Sequence, residues 1–226
     1  MNQSLKALAK GGTLRAAINT GNMALVQYDA GRLIGVSPAL AQRLADQLGA
    51  KLEPVVYEGA GKVFADSGAD KWDVGFLAID QMRSKEISFT RAYHIIEATF
   101  AVRSESPFRF VADADREGVS ILTSTGSAYD MHLQETLKHA ALEHFGTPPQ
   151  SFDEFRNGRC DLVAGVRASL QGHFGEDPAF RILPDALTQV SQAMVLPSPN
   201  NPLIAALDAF VAAAIADGFV ARHLAP

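Results

Sequence analysis

The sequence has little cysteine and no long apolar stretch, and each absence excludes a class of protein. Its one cysteine, Cys160, cannot form an internal disulfide or a cysteine metal cluster. No apolar run approaches the roughly 20 residues that a membrane-spanning helix needs, so we expect no membrane insertion. The net charge of −5 argues against binding of nucleic acid. We therefore predict no nucleic-acid partner, no metal and no other cofactor.

The remaining composition is that of an ordinary globular protein, with 47% hydrophobic and 20% charged residues among 226. A chain of this length forms one large domain or two small ones, and it buries a sizeable core without disulfides. The start, Met1–Gly12, is too mixed and short for a secretory signal, which needs an apolar stretch of about 7–15 residues. As written, the sequence predicts a cytoplasmic protein. The alternative is a periplasmic protein from which a leader has been removed.

Short β-type segments alternate with helical patterns along the chain, and this alternation is typical of an α/β fold. In the first half, Ser37 is predicted to cap a helix that ends at Gly49. Gly59–Lys62 lacks the spacing of a phosphate loop and is predicted to be a turn. The strands predicted in this half are Leu14–Ile18, Leu52–Tyr57, Trp72–Ile79 and Ile95–Val102.

The pattern restarts in the second half of the chain, after a polar stretch. A helix is predicted to begin at Gly126-Ser127 and to run to about His144. A capping box at Ser151–Glu154 predicts a short helix, and the last helix is predicted between Asn200 and Gly218. The strands predicted in this half are Val119–Thr123, Cys160–Val166 and Leu187–Leu196.

One segment carries a specific motif: Trp72–Tyr93 reads WDVGFLAIDQMRSKEISFTRAY. It has an aspartate at a strand start (Asp73), a short loop, an arginine (Arg83) and an Ile-x-Phe-Ser/Thr-x-x-Tyr tail. In this order and spacing the segment resembles the signature of the type 2, family 3 solute-binding proteins of ABC transporters, the polar amino-acid-binding family. Further similarity extends from about residue 13 to 224 and includes Arg159-Cys160-Asp161.

The resemblance implies an α/β fold with two lobes, each a β-sheet flanked by helices, joined by two hinge crossovers. Lobe 1 would consist of residues 1–102 and 195–226, and lobe 2 of residues 103–194. A small ligand would bind in the cleft between the lobes and close them by a hinge motion. We expect a monomer whose partners are this ligand and, in a transport role, an ABC permease.

The resemblance also places the ligand anchor at Arg83. A guanidinium suits this role because it grips a carboxylate with two parallel hydrogen bonds. The alternative is a surface arginine paired with an acid such as Glu86. Ser127 and Ala128, at a predicted helix start, would add a hydroxyl and free backbone N–H groups for an anion. A serine that only caps the helix is the alternative there.

Five further residues are candidates to line the cleft. Tyr129 follows the helix start, and Asn22 follows the first strand. Phe76 would form an apolar wall, Ala78 would donate through its backbone amide, and Gln192 would reach the ligand from the hinge. Four of them also have a structural alternative, namely core packing for Phe76, a core or surface position for Tyr129, a turn for Asn22 and a structural role for Gln192.

The sequence departs from the family's α-amino-acid binders at one position. These binders usually hold the ligand's ammonium with an aspartate about five residues after the Gly-Arg-x-Asp element. Here Val166 stands at that place and Arg167 follows it. A buried ammonium without a partner is costly, whereas Arg167 would favour a second carboxylate unless an acid of the protein pairs with it. We therefore expect a small carboxylate ligand, either amino-acid-like or a dicarboxylate.

The function predicted from these observations is reversible ligand binding without chemistry. One alternative is an enzyme, because the cyclohexadienyl dehydratases share this fold and act on carboxylated rings. Such an enzyme needs a cleft acid that donates a proton, and Asp80 and Asp130 are the acids nearest to the predicted site. Another alternative is a cytoplasmic ligand sensor or carrier.

Overall fold

The computed structural model describes residues 3–224, and strands and helices alternate along them. The strands are β1 (Thr13–Asn19), β2 (Gln27–Asp29), β3 (Arg32–Ile34), β4 (Lys51–Tyr57), β5 (Val74–Ala78), β6 (Ile87–Arg103), β7 (Ser120–Thr123), β8 (Ala141–His144), β9 (Leu162–Val166), β10 (Phe180–Ile182) and β11 (Thr188–Pro197). The helices are α1 (Val36–Leu48), α2 (Ala60–Ala65), α3 (Ala128–Thr136), α4 (Pro148–Arg156), α5 (Arg167–Phe174), α6 (Ile204–Ala216) and α7 (Phe219–His223). The predicted α/β class is confirmed.

One mixed sheet connects most of the strands, in the order β4–β1–β5–β11–β6–β9–β7–β8, and β10 pairs with β6. β1 is parallel to β4 and β5, and β7 is parallel to β8 and β9. Parallel neighbours need crossover connections, which the helices supply. The two parallel sets are joined by the long antiparallel pair of β6 and β11. The sheet therefore consists of two α/β halves with this pair between them.

β6 belongs to both halves of the sheet. Its residues from Ile87 to Ala98 pair with β11, and those from Ala98 to Val102 pair with β9. The sequence predicted only Ile95–Val102 as a strand, because the alternation of apolar and polar residues before it is irregular. The lobe boundaries at residues 102 and 195 stay a prediction. The pairing favours a crossing on β6 before Ala98.

Helix α1 illustrates how sequence pattern and packing agree. Leu40, Ala41 and Leu44 lie on one face and are fully buried against the lobe 1 sheet. Gly49 ends the helix in the left-handed conformation, with a φ of 66°, as predicted. The predicted cap is wrong, because Gly35 precedes the helix and Ser37 lies in its first turn. The Ser37 hydroxyl is instead buried 3.2 Å from the Tyr93 hydroxyl.

The helix predicted from Ser127 to His144 is wrong in its second half. α3 ends at Thr136, and Ala141–His144 forms the edge strand β8 beside β7. Asp115 fixes the turn between them, since its carboxylate accepts backbone N–H groups from residues 138–140. An apolar residue at every fourth position satisfies a helix and then a strand equally well, so the spacing did not distinguish them.

Two shorter predictions also need correction. The segment Gly59–Lys62 is not a simple turn, because α2 begins at Ala60. The helix predicted from the capping box at Ser151 begins earlier, at Pro148, where proline suits the first helical turn. Within residues 3–224, none of the helices is both long and apolar enough to cross a bilayer.

Candidate functional site

A cavity of about 40 Å³ lies between the two halves of the molecule. A second cavity of about 10 Å³ shares four of its residues, Asn19, Asn22, Phe76 and Gln192. The residues around the larger cavity are Asn19, Gly21, Asn22, Ala60, Phe76, Leu77, Ala78, Ser127, Ala128, Tyr129, Pro148, Val166, Val190 and Gln192. Most of the residues predicted for the cleft are therefore brought together at one place.

The position of the cavity follows from the sheet topology. β1 and β5 are parallel, and both carry lining residues at their carboxyl ends, Asn19 and Ala78. In α/β sheets, ligands bind outside the carboxyl ends of parallel strands. A larger groove of about 740 Å³ lies at the opposite ends of these strands, where Asp73 precedes β5 and Pro197 ends β11. We therefore take the smaller, enclosed cavity as the candidate site.

Arg83 is 1% exposed and is not itself among the residues around the cavity, but it is bonded to Ala78, which is. Its guanidinium donates to the carbonyl of Ala78 at 3.2 Å and to that of Gly126 at 2.6 Å. Burial lowers the pKa of Arg83 to about 10, partly offset by the charge of Asp80. Asp80 is not an ion-pair partner, because its carboxylate accepts backbone N–H groups of its own turn.

The surface pairing of Arg83 with Glu86, considered from the sequence, is not observed. No carboxylate of the described residues 3–224 lies within ion-pair distance of this guanidinium. Arg83 is therefore a buried cation that only backbone carbonyls satisfy. A buried charge of this kind favours a nearby anion.

The start of α3 forms the opposite wall of the cavity. Gly126 adopts a left-handed φ of 69°, and the Ser127 hydroxyl caps the helix by accepting the N–H of Asp130 at 3.1 Å. The buried Tyr129 hydroxyl lies 2.6 Å from that of Ser124, and burial raises the pKa of Tyr129 to about 12. Tyr129 therefore stays neutral at physiological pH.

Asp130 fixes this wall from behind. One carboxylate oxygen accepts the backbone N–H of Gly126 at 2.8 Å, and the other lies 2.9 Å from Nδ1 of His144. Asp130 does not line the cavity, and neither does Asp80. Both acids considered as proton donors thus hold loops in place.

Asn22 and Gln192 supply the polar side chains of the cavity on the other side. Asn22 is 8% exposed and Gln192 is 4% exposed. The Asn22 side-chain oxygen has no hydrogen-bond partner among the described residues. The neighbouring Asn19 differs, because its side-chain oxygen accepts the N–H of Gly21 at 3.1 Å. Asn22 is therefore the acceptor that is free to meet a ligand.

Arg167 lies apart from the other predicted site residues. Its guanidinium donates to Glu97 at 3.0 Å and to the carbonyls of Leu183, Pro184 and Asp185. It is not among the residues around the cavity, whereas its neighbour Val166 is. This placement corrects the expectation that Arg167 faces the ligand, since the acid-paired alternative is the one observed.

The two halves meet closely around the cavity. The Ser169 hydroxyl accepts the N–H of Met23 at 3.0 Å and donates to the carbonyl of Gly21 at 3.1 Å. Gly61 lies so near to Thr125 that a Cβ added to it would be 2.6 Å from the Thr125 carbonyl oxygen. Glycine is thus required at position 61 for this approach of backbone to backbone.

Sequence reasoning missed several lining residues, among them Asn19, Val190 and Pro148. Asn19 ends β1, so the rule about carboxyl ends of parallel strands could have found it. Val190 lies two residues before Gln192 on β11 and therefore shares its face, since side chains alternate along a strand. Nothing in the sequence marked Pro148, which begins α4 and reaches the cavity from a distant part of the chain.

Comparison with known proteins gives the context of this site. The family model of bacterial extracellular solute-binding proteins, family 3, matches residues 2–225. The glutamine-binding protein of Geobacillus stearothermophilus is 23% identical over 116 residues, which are 51% of this chain and 44% of that protein. The cyclohexadienyl dehydratase of Pseudomonas aeruginosa is 27% identical over 177 residues, 74% of this chain and 65% of that enzyme. The chain thus spans less than two thirds of either relative.

Solved structures share the fold over nearly the whole chain. A mutant of ArgBP from T. maritima has a TM-score of 0.82 at 19% identity, covering 97% of this chain and 96% of that one. AbpA from Streptococcus pneumoniae, bound to L-arginine, has a TM-score of 0.81 at 18% identity, with 96% and 95% covered. The ancestral amino acid-binding protein AncCDT-1, a precursor of cyclohexadienyl dehydratase, has a TM-score of 0.80 at 20% identity, with 97% of each chain covered. The predicted two-lobed fold is confirmed.

Proposed function

This chain belongs to family 3 of the bacterial extracellular solute-binding proteins, and we propose that it reversibly binds a small carboxylate-bearing metabolite between its lobes. The observation that carries the proposal is the buried guanidinium of Arg83, which lies beside the cavity without a carboxylate partner among the described residues. A ligand carboxylate would supply the missing negative charge through charge-assisted hydrogen bonds.

The geometry of Arg83 supports this role. Its five N–H donors form a planar fork, and two described hydrogen bonds go to the carbonyls of Ala78 and Gly126. The remaining N–H donors are available to an anion. Ser127, Ala128 and Tyr129 support the same end of the ligand, because the first N–H groups of α3 favour negative charge.

The other lining residues would hold the rest of the ligand. Phe76 and Tyr129 are buried on two sides of the cavity and offer apolar surface. Asn22 and Gln192 offer neutral amides. Ala78, considered as an amide donor, contributes its carbonyl to Arg83 and so orients the anchor. The ligand-binding set that we propose is Arg83, Ser127, Ala128, Tyr129, Asn22, Phe76, Ala78 and Gln192.

Transport is the wider role that we propose for this binding. Relatives named above are binding components for amino acids, and an ABC permease is the corresponding partner for a protein of this family. The cytoplasmic location predicted from Met1–Gly12 stays a prediction beside its periplasmic alternative. The description of the family as extracellular supports the alternative. In the cytoplasm, the same site would serve a sensor or carrier.

An enzyme of the cyclohexadienyl dehydratase type is the second candidate, favoured by the similarity to the Pseudomonas aeruginosa enzyme. Such chemistry needs an acid within reach of the leaving group. The residues around the cavity are all uncharged, and Asp80 and Asp130 are engaged in holding their loops. Binding is therefore the better-supported function. Recovery of an unchanged ligand after incubation supports binding, and conversion of a carboxylated ring supports the enzyme.

A thermal-shift screen tests the proposed function. The probes are acetate, propionate, lactate, succinate, glycine, alanine, glutamine and arginine, tested on the wild type and on Arg83→Ala. A ligand at a hundred times its Kd stabilises by about 2.7 kcal/mol, which raises Tm by roughly several degrees. We expect a carboxylate to stabilise the wild type and not the variant.

Two control variants sharpen this screen. Arg83→Lys keeps the charge without the fork, so it should bind the same acid more weakly than the wild type. Arg32→Ala removes an exposed arginine and should respond like the wild type. Equal stabilisation of the wild type and Arg83→Ala would show that Arg83 is not the anchor.

A further inference from the structure

We propose that this site selects small monocarboxylates whose second polar group is a neutral hydrogen-bond donor. The 2-hydroxy acids are the class of compound that fits this description. α-Amino acids and dicarboxylates would be disfavoured. The inference rests on the proposed function, because Arg83 must hold the carboxylate. It concerns what the rest of the cavity accepts.

The first argument is the charge distribution around the cavity. Every residue that lines it is uncharged. Two buried charges lie near it: the cation of Arg83 donates to the carbonyl of the lining residue Ala78, while the carboxylate of Asp130 accepts from Gly126 and lies 2.9 Å from Nδ1 of His144. A monoanion balances that cation. The ammonium of an α-amino acid would instead be buried among neutral groups and repelled by Arg83. Both effects raise the free energy of the bound state.

The second argument concerns dicarboxylates. A second carboxylate would need a second cation near the cavity. Arg167 is the nearest arginine in sequence to the lining residue Val166, but Glu97 and the carbonyls of residues 183–185 occupy its donors. A second negative charge would therefore be buried without a partner, at a cost comparable to that of the ammonium.

The third argument is the side-chain oxygen of Asn22. It is buried at the cavity and accepts no hydrogen bond from the described residues. An unsatisfied buried acceptor is costly, so a ligand that donates to it gains affinity relative to one that does not. A hydroxyl donates without carrying charge, and it can also accept from the Gln192 amide. A simple fatty acid lacks this donor.

The fourth argument is size. The two adjoining cavities have about 40 and 10 Å³, and a water molecule needs roughly 10–15 Å³ on this measure. The two cavities therefore hold about three to five water-sized atoms, which favours acids of two or three carbons over larger ones. Phe76, Tyr129, Val166 and Val190 give the carbon chain an apolar wall.

Isothermal titration calorimetry with matched ligands tests the inference. Lactate and alanine have the same heavy-atom skeleton and differ only in hydroxyl against ammonium, while propionate has neither group. We expect lactate to bind the wild type at least tenfold more tightly than alanine and succinate, and several-fold more tightly than propionate. Asn22→Ala should remove most of the difference in affinity between lactate and propionate.

A gain-of-function variant tests the charge argument separately. Val166→Asp places a carboxylate at the cavity and should shift preference from lactate towards alanine by tenfold or more. Val166→Asn, of the same size but neutral, should leave the preference for lactate in place. If Val166→Asp does not fold, the ratio of lactate to alanine affinity in the wild type remains decisive.

The outcomes separate this inference from the proposed function. Binding of alanine as tight as that of lactate, lost in Arg83→Ala, would overturn the selectivity and leave the proposed function standing. Binding of none of these acids at millimolar concentration would overturn both. Binding of lactate that does not depend on Arg83 would overturn the inference and the role of Arg83 as anchor, because the carboxylate would then have another partner.

Discussion

Two buried charges in one short motif have opposite surroundings. Asp73, at the start of β5, accepts the backbone N–H and two side-chain N–H groups of Arg15, at 2.7–3.1 Å. Arg83, ten positions later, has backbone carbonyls in place of an acid. The aspartate is thus satisfied by the fold and the arginine is not. We infer that Asp73 serves stability and Arg83 serves the ligand.

This difference gives a prediction for Asp73→Asn. The neutral amide keeps the shape but loses the charge-assisted hydrogen bonds from Arg15, so we expect a loss of about 2 kcal/mol in the free energy of unfolding. Urea denaturation measures it. Asp29→Asn, at an exposed aspartate of the hairpin, should change stability by less than about 0.5 kcal/mol. Equal effects of the two substitutions would contradict the structural role of Asp73.

At the same scale, the sequence pointed to residues that a motif or a helix start marks, and their contact with a ligand stays a prediction. Tyr129, Asn22 and Phe76 lie around the cavity as expected. It failed at Arg167, because β9 ends at Val166 and Arg167 begins α5, and only the path of the chain at this junction decides which of the two faces the cleft. Val166 is the residue that lies at the cavity, and a single sequence does not show which of the two it will be.

Helix α2 and the segment before α3 meet at the cleft through glycine residues. Gly61 in α2 contacts the backbone of Thr125 and Gly126, which precede α3. Gly126 itself has a left-handed φ of 69°, which few other residues adopt without strain. Helix α2 and the loop before α3 therefore approach each other without intervening side chains at this point. If the lobes move on ligand binding, as proposed, this approach is part of the closed arrangement.

Gly61→Ala should therefore weaken closure rather than folding. Its Cβ would lie 2.6 Å from the Thr125 oxygen in the closed arrangement, and this contact disappears when the lobes separate. We expect a tenfold or greater loss of ligand affinity, a larger radius of gyration in small-angle scattering and little change in Tm.

Gly68→Ala is the matched control for this variant, because nothing lies within 4 Å of a Cβ added there. It should bind and scatter like the wild type. Wild-type affinity in Gly61→Ala would show that the two loops do not form the closure contact.

Helices and strands were predicted well where a local sequence pattern determines them, and poorly where pairing with another strand determines them. β1 and α1 follow from apolar spacing and a terminal glycine. β8 was read as helix, since its strand character comes from pairing with β7. The first part of β6 was missed as a strand, because its apolar and polar residues alternate irregularly and its strand character comes from pairing with β11.

At the level of the whole molecule, stability should depend on pH in two steps. Burial lowers the pKa of His94 and of His173 below the usual 6.5. Because the folded state keeps these imidazoles neutral, their contribution is complete above pH 6.5 and declines as pH falls below it. Several carboxyls have pKa values below 3.8 through N–H donors: Asp66, Asp70, Asp113, Asp115, Asp177, Asp208 and Asp217.

The carboxyls supply the second step. Their contribution is complete above the unfolded value of 3.8 and is lost as pH falls through the lower folded values, which reach about 2 for Asp70. We expect Tm to be level between about pH 7 and 8, to fall gently from pH 6.5 to 5, and to fall steeply below pH 4. Calorimetry across this range measures it. A Tm that rises on acidification would contradict the assigned ionisation states.

The position of β11 between β5 and β6 has a consequence for synthesis. β5 ends at Ala78, but its partner strand β11 is complete only when Pro197 has left the ribosome. Until then the first strands have an unpaired edge, which is a site for aggregation. The partners β6, β7, β8 and β9 are all present once Val166 has emerged. The strands β6 to β9, from the middle of the chain, can therefore pair before the sheet around β1, β4 and β5 is complete. The strands synthesised first thus need protection from aggregation for the longest time.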